Sequence, residues 1–174
     1  MALTDAERAY SQIRERIITT ALKPGAVIEE AALMDRLSLG RTPIREALKR
    51  LEAEKLVTVS PRRGIFVADV TLTDLRHIEE VRLELDPLAV RLAVQRITPW
   101  QIEELRMLLG EYEAGQGCYS EHEMLNLDRR FHALLREASH NGLLEAECKM
   151  LFNLSLRIWY LFVDQLTADN LVED

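Results

Sequence analysis

The sequence predicts a mostly α-helical protein with one short β-hairpin between an N-terminal group of helices and a longer C-terminal group. Three observations predict this class. Apolar residues recur at helical spacing along most of the 174-residue chain, glycine (7) and proline (5) are sparse, and runs of β-branched residues are few. Apolar residues make up 48% and charged residues 29% of the chain, which allows a buried core and excludes a disordered chain.

Several classes of protein are excluded at this stage. No stretch approaches ~18 consecutive apolar residues, and the N-terminus lacks the basic start and apolar run of a signal peptide. The cysteines, Cys118 and Cys148, do not form a CxxC pair. We therefore expect a protein of the reducing cytoplasm without a membrane span or a disulfide framework.

The first two helices follow from apolar spacing. One helix is predicted over 5–21, and Lys23-Pro24-Gly25 ends it because proline cannot continue a helix. A short second helix is predicted over 29–37, and residues 38–40 form a turn. The residues predicted to face inward are Ala6, Tyr10, Ile13, Ile17, Leu33 and Leu37.

A third helix carries cations on one side. Thr42 is predicted as its N-cap and Pro43 as its first residue. Arg41, Arg45 and Lys49 are spaced i, i+4, i+8, so they project together from one face. The opposite face is apolar and consists of Ile44, Ala47, Leu48 and Leu51.

A β-hairpin follows this helix. Strands are predicted over 56–60 and 65–68, with a turn over 61–64 that places Arg62 and Arg63 at the tip. Three helices with a tight turn between the second and third, followed by such a hairpin, form a winged helix-turn-helix. The third helix can enter a DNA major groove, and arginines at the hairpin tip suit the negative potential of a minor groove.

Charge is distributed unevenly. The chain carries a net charge of −7, yet residues 1–70 hold 12 basic and 10 acidic residues, whereas residues 71–174 hold 10 basic and 19 acidic ones. Seven of the basic residues lie within 41–63. Such a patch fits a polyanion partner. A solvated helix face, or a winged helix used for protein contacts, remains the alternative.

The segments LKPGAVIEEAALMDRLSLGRTPIREALKRLEAEKLV (22–57) and SPRRGIFVADV (60–70) resemble the GntR family of bacterial transcription regulators. The resemblance implies that Arg41 and Arg45 contact operator bases, that Thr42 contacts a phosphate, and that Arg62, Arg63 and Gly64 touch the minor groove. We add Lys49 to these residues because its spacing places it on the same helix face as Arg41 and Arg45, a row of cations that we call the α3 stripe. Ser38 and Gly40 stand where the family usually has Gly and Ser, which alters the turn and the cap of the third helix.

The C-terminal half is predicted to be an antiparallel all-helical bundle. A helix over 73–85 breaks near Asp86-Pro87 and continues over 87–96. Further helices are predicted over 99–113, 121–139 and about 142–166, with capping boxes at Thr98 and Ser120. In the first helix Leu75, Ile78, Val81 and Leu85 face inward. We expect two domains, a winged helix-turn-helix over 1–70 and a helical ligand-binding and dimerisation domain over 71–174.

Residues 127–144 and 80–93 resemble the FCD effector domain of the FadR subfamily of GntR regulators. The resemblance implies a small carboxylate-type ligand, with Arg82 facing the cavity, and a divalent metal (zinc, nickel or manganese) held by Asp128 and His132. Asp128 and His132 share a helix face at i, i+4 spacing. Arg82 can equally be a surface arginine paired with Glu79 or Asp86.

The family places two further histidines on later helices, which this sequence lacks. The bundle is therefore expected without its last helices, and the metal site is expected to be incomplete.

These features favour a ligand-responsive bacterial DNA-binding transcription regulator that controls a metabolic operon. Its expected partners are double-stranded DNA with an inverted repeat, a small organic-acid effector and a second copy of the chain, without a membrane. The alternatives are a metal-assisted hydrolase built on Asp128, His132 and another histidine, and a structural interaction module. The sequence contains no HExxH, P-loop or GxSxG motif, so an enzyme is not expected.

Overall fold

The computed structural model describes the backbone of residues 3–170 and the side chains of residues 3–162. The chain divides into two compact units, Met1–Thr71 and Leu72–Asp174. Among the described residues, no helix combines the length and the apolar composition needed to cross a membrane.

The N-terminal unit is a winged helix-turn-helix, as predicted. Its elements are α1 (Asp5–Ile18), α2 (Glu30–Leu37), α3 (Arg41–Ala53), β1 (Val57–Ser60) and β2 (Gly64–Val67). The two strands pair antiparallel in a register that sets Ser60 opposite Gly64 at the tip.

Apolar packing of α1 against α3 forms the core of this unit. The apolar face predicted for α3 is buried, as are Tyr10, Ile13 and Ile17 of α1. Polar contacts add to this packing, because the Tyr10 hydroxyl donates to both carboxylate oxygens of Glu54 at 2.9 Å. The Arg50 guanidinium lies 3.6 Å from the centre of the Tyr10 ring. These contacts hold α3 at a fixed orientation in the unit.

The ends of α1 and α3 differ from the prediction. Helix α1 ends at Ile18, earlier than expected, and Thr20 then adopts a left-handed φ of 59°. Helix α3 begins at Arg41 with Gly40 as its N-cap, so the expected cap at Thr42 is wrong and Pro43 is the third helical residue.

The turn between α2 and α3 shows the effect of the unusual residues at 38 and 40. Ser38 adopts the left-handed conformation (φ 53°, ψ 45°), which glycine tolerates better than serine. Gly40 supplies no side-chain oxygen to the free N–H groups of α3. Glycine would therefore suit position 38 better, and serine would suit position 40 better.

The C-terminal unit consists of four helices, α4 (Leu72–Arg96), α5 (Pro99–Gly115), α6 (Glu121–Ala138) and α7 (Gly142–Asn170). Helix α6 packs against each of the other three, and α4 also packs against α7. The capping boxes predicted at Thr98 and Ser120 are confirmed. The bundle has two described apolar clusters: Ala89, Leu144 and Cys148 form one, and Leu108, Leu127 and Leu134 form the other.

Helix α4 runs without interruption through Pro87, so the expected break is wrong. Proline removes one hydrogen bond to the carbonyl four residues earlier, that of Leu83. Both Leu83 and Pro87 lie on the exposed side of the helix, where water can satisfy that carbonyl. Val81, which was expected to face inward, is 46% exposed.

The turn between α2 and α3 yields a stability prediction. Exchanging the two residues, Ser38→Gly with Gly40→Ser, should stabilise the chain by about 1 kcal/mol. Ser38→Gly removes the strain of a left-handed backbone conformation at a residue with a Cβ, and Gly40→Ser adds a hydroxyl that can cap α3. A Cβ at position 40 would meet only Pro43 Cδ at 3.9 Å, an ordinary contact. Urea unfolding measures the change.

Gly40→Ala is the matched control for this exchange, because it adds the Cβ without the hydroxyl. It should give less stabilisation than Gly40→Ser. A double variant that is less stable than the wild type would contradict this account of the turn.

Candidate nucleic-acid interface and interior arginine cluster

The structure places four of the predicted site residues on the exposed face of α3. Arg41, Thr42, Arg45 and Lys49 are all exposed, and the buried apolar residues of the helix lie on its other side. Packing against α1 thus leaves a cationic surface open to solvent. Guanidinium and ammonium groups on an exposed helix are the groups that bind phosphates and the acceptor edges of guanine.

The hairpin tip carries the remaining predicted residues of this surface. Arg62, Arg63 and Gly64 are exposed, and Arg62 (φ 63°) and Gly64 (φ 116°) both adopt positive φ in the turn. The hairpin is anchored to the α1–α2 loop, because Ile28 N–H donates to the Ile65 carbonyl at 2.8 Å. Two arginines are therefore presented on a backbone that is tied to the rest of the unit.

Arg45 differs from its neighbours in having an acidic partner. Its Nε donates to both carboxylate oxygens of Glu30, at 3.1 and 3.0 Å. The Arg45 side chain is 61% exposed and that of Glu30 is 24% exposed. Sequence reasoning missed Glu30, since the two residues are 15 positions apart and no local spacing links them.

A cluster of buried arginines lies inside the C-terminal unit. Arg82 of α4 is only 14% exposed at its side chain, pairs with Glu79 and Asp86, and donates to the Ser155 hydroxyl at 2.9 Å. Both proposed carboxylate partners are therefore present, and the arginine also faces α7. Whether it contacts a ligand stays a prediction.

Arg136 of α6 is the more unusual member of this cluster. It is 7% exposed, and its guanidinium lies 4.8 Å from the centre of the Phe152 ring. Among residues 3–162 it forms no ion pair. Burial lowers the pKa of Arg136, and the positive charge of Arg82 acts in the same direction. A buried cation without a carboxylate partner is an arrangement that a bound anion would stabilise.

Helix α7 adds polar groups that sequence reasoning also missed. Asn153, Ser155 and Arg157 are buried, and the Asn153 Nδ2 group has no hydrogen-bond partner among the described residues. The sequence does contain a pattern that could have identified these residues, because they interrupt the apolar run LFNLSLRIWY at alternate positions. Arg136 likewise follows His132 at i+4.

Asp128 and His132 lie together, with His132 Nε2 3.5 Å from Asp128 Oδ1. Burial lowers the pKa of His132, whereas the Asp128 carboxylate raises it. The part of the chain that the structure describes contains no group of three or more His, Cys, Asp or Glu residues placed to hold a metal ion. Two side chains do not make a complete divalent site.

An apolar cavity of about 500 Å³ lies between α5 and α6. Arg82 and Arg136 do not line it, but the exposed charged residues Arg106 and Asp128 lie at its wall. Its lining includes Ile102, Leu105, Leu109, Tyr112, Leu127 and Phe131.

Two protein-family matches together cover most of the chain. Residues 5–67 match the bacterial regulatory proteins of the gntR family, and residues 77–173 match the FCD domain. The chain is 31% identical to the HTH-type transcriptional regulator McbR of Escherichia coli K12, over 85% of this chain and 66% of that protein. It is 41% identical to the Nta operon transcriptional regulator of Aminobacter aminovorans, over 68% of this chain and 56% of that protein.

An uncharacterised HTH-type regulator of Bacillus subtilis 168, YdhC, is 32% identical over 76% of this chain and 59% of its own length. The chain thus spans less than two thirds of each of these relatives. Among solved structures, Escherichia coli McbR/YncC superimposes with a TM-score of 0.76 and 29% identity, over 90% of this chain and 73% of that one.

Proposed function

Because the chain belongs to the GntR family of bacterial regulatory proteins and carries an FCD domain, we propose that it is a homodimeric regulator of a metabolic operon that responds to a small organic acid. Its relatives are named as transcriptional regulators, and the family is one of regulators and not of enzymes. Such a protein would act in the cytoplasm, where it meets the chromosome.

The exposed cationic face of α3 is the observation that carries the DNA-binding proposal. Arg41 and Arg45 would contact base edges in the major groove, with Arg45 reading a guanine, and Thr42 and Lys49 would contact the flanking phosphates. The arginines at the hairpin tip would lie in the adjacent minor groove. Two such units in a dimer would match an inverted repeat.

The arginine cluster supports an anionic effector. A carboxylate placed between Arg136 and Arg82 would pair with the first guanidinium and compete with Glu79 and Asp86 for the second. The Nδ2 group of Asn153, which has no hydrogen-bond partner among residues 3–162, offers a further donor inside the same unit. For zinc, nickel or manganese, Asp128 and His132 are the described candidates, and this pair alone does not complete a site. The proposed effector contact therefore rests on the arginines.

A stripe on α4 supports the homodimer. Leu83, Pro87, Val90 and Val94 are exposed, and Leu83 and Val94 are 70% and 75% exposed. Their spacing of 4, 3 and 4 residues reads the same from either end. Two copies of α4 can therefore pack antiparallel about a two-fold axis, with this α4 stripe against its own copy.

Charges beside the α4 stripe fit the same arrangement. Glu84 and Arg91 are exposed, seven residues apart, and lie along one flank of the stripe. In an antiparallel pair this flank faces the same flank of the partner, so each Glu84 lies opposite an Arg91. One dimer would then bind both the effector and the DNA, so the affinities for these two ligands would be linked reciprocally.

The DNA-binding proposal is tested with a duplex selected by the protein from a randomised pool. Arg45→Ala should weaken binding by about 1–3 kcal/mol and relax the base preference at one position of each half-site. Arg63→Ala should weaken binding to all duplexes alike and lower the salt slope by about one unit. Gel shifts over a salt series measure both.

Arg106→Ala, on the exposed side of α5, is the matched control for the DNA experiment and should leave binding unchanged. Equal losses of specificity from Arg45→Ala and Arg63→Ala would contradict the assigned roles.

The effector proposal is tested by thermal unfolding with a panel of mono-, di- and tricarboxylates. At least one acid should raise the melting temperature of the wild type, and Arg136→Met should abolish that rise. Without ligand, Arg136→Met should itself be more stable by about 1–3 kcal/mol, because methionine removes a buried charge.

Arg76→Met, at an exposed position of α4 outside the cavity and the arginine cluster, should keep the ligand response and the stability of the wild type. An Arg136→Met variant that is strongly destabilised would show that this arginine has a structural role instead.

The dimer proposal is tested by charge reversal. Glu84→Arg and Arg91→Glu should each weaken the homodimer, since each creates two like-charge contacts. An equimolar mixture of the two variants should form a heterodimer, in which both contacts are again attractive. Native mass spectrometry distinguishes these species. Glu113→Arg on α5 is the control, and homodimers unaffected by either reversal would exclude this face of α4.

A further inference from the structure

We propose that Glu30 is a positioning residue for Arg45, and that this carboxylate increases sequence discrimination while it lowers overall affinity for DNA. The inference rests on the proposed function and concerns how the same surface distinguishes one sequence from another.

The contact between Glu30 and Arg45 leaves the two Nη groups of Arg45 available to a DNA base. Glu30 accepts from Nε with both oxygens, at 3.1 and 3.0 Å, and the two Nη groups form no hydrogen bond with the described residues. A bidentate contact with the O6 and N7 atoms of guanine needs two parallel N–H groups. The Nη pair supplies them, on a guanidinium whose plane is already fixed.

Glu30 is the less mobile member of the pair. It is the first residue of α2, where the helix dipole favours a carboxylate, and its side chain is less exposed than that of Arg45. Helix α2 is held in the unit by the buried side chains of Leu33 and Leu37. An arginine in solution samples many rotamers, so a fixed partner reduces the entropy that is lost when it docks on a base.

The same carboxylate opposes binding to any DNA. A negative charge beside the phosphates weakens the sequence-independent attraction, whereas the guanine contact is strengthened only where the base matches. Arg41 and Lys49 have no ion pair among residues 3–162, so they attract DNA without this restriction. Among the three cations of the α3 stripe, Glu30 therefore restrains Arg45 and leaves Arg41 and Lys49 unrestrained.

The experiment compares Glu30→Ala, Glu30→Gln and Glu46→Gln in the full chain. Glu46 is exposed on α3 next to Arg45, so its replacement removes one negative charge from the same helix surface without touching the Glu30–Arg45 pair. Each variant is titrated with the selected duplex and with a shuffled duplex of equal composition, at several salt concentrations. The measured quantity is the ratio of the two dissociation constants.

We expect Glu30→Ala to bind the shuffled duplex about 3- to 10-fold more tightly and to lower the ratio by about 10-fold. Glu30→Gln, which keeps an acceptor for Nε, should lie between Glu30→Ala and the wild type. Glu46→Gln should tighten binding to both duplexes and preserve the ratio. Adding Glu30→Ala to Arg45→Ala should not lower the ratio further, because the two residues act as one unit.

A preserved ratio in both Glu30 variants, or an equal fall in the ratio of Glu46→Gln, would overturn this inference and leave the proposed function intact. A loss of folding cannot imitate the expected result, because it weakens binding to both duplexes by the same factor. A wild-type chain that shows no preference for its selected duplex would overturn the proposed function, and this inference with it.

Discussion

The burial of one face of α3 is the constraint on which the candidate DNA surface depends. Ile44, Ala47, Leu48 and Leu51 pack into the core of the N-terminal unit, and the helical repeat then leaves the cationic residues no position except the surface. The Tyr10 hydroxyl and the Glu54 carboxylate add a polar contact near the end of the same helix. The direction in which the cations point is thus a consequence of hydrophobic packing.

The C-terminal unit follows a different principle, because part of its interior is polar. Buried guanidinium groups lose hydration, and apolar side chains of similar volume generally give a more stable core. Arg136 is the clearest example, since its guanidinium lies over the Phe152 ring and forms no ion pair with the described residues. Such an interior is the kind of arrangement that the proposed anionic effector would stabilise.

Local sequence signals predicted most of the fold. The seven helices and the hairpin follow from apolar periodicity, capping boxes and turn residues, which act over a few positions. The errors also have local causes. The break expected at Pro87 ignored the exposed side of the helix on which the proline lies, and the cap expected at Thr42 ignored Gly40.

The candidate sites were predicted less completely, because their contacts join residues that are distant in the chain. Arg82 was identified, but its contact with Ser155 spans 73 positions and its neighbour Arg136 was missed. Glu30 was missed for the same reason.

The proline in α4 has a consequence for association. A proline ring has almost no rotameric freedom to lose, and the branched valines at positions 90 and 94 have little. Burial of such side chains keeps most of the gain from excluding water, because few internal rotations are frozen. A small surface of this kind can support a specific contact where flexible side chains would need a larger one.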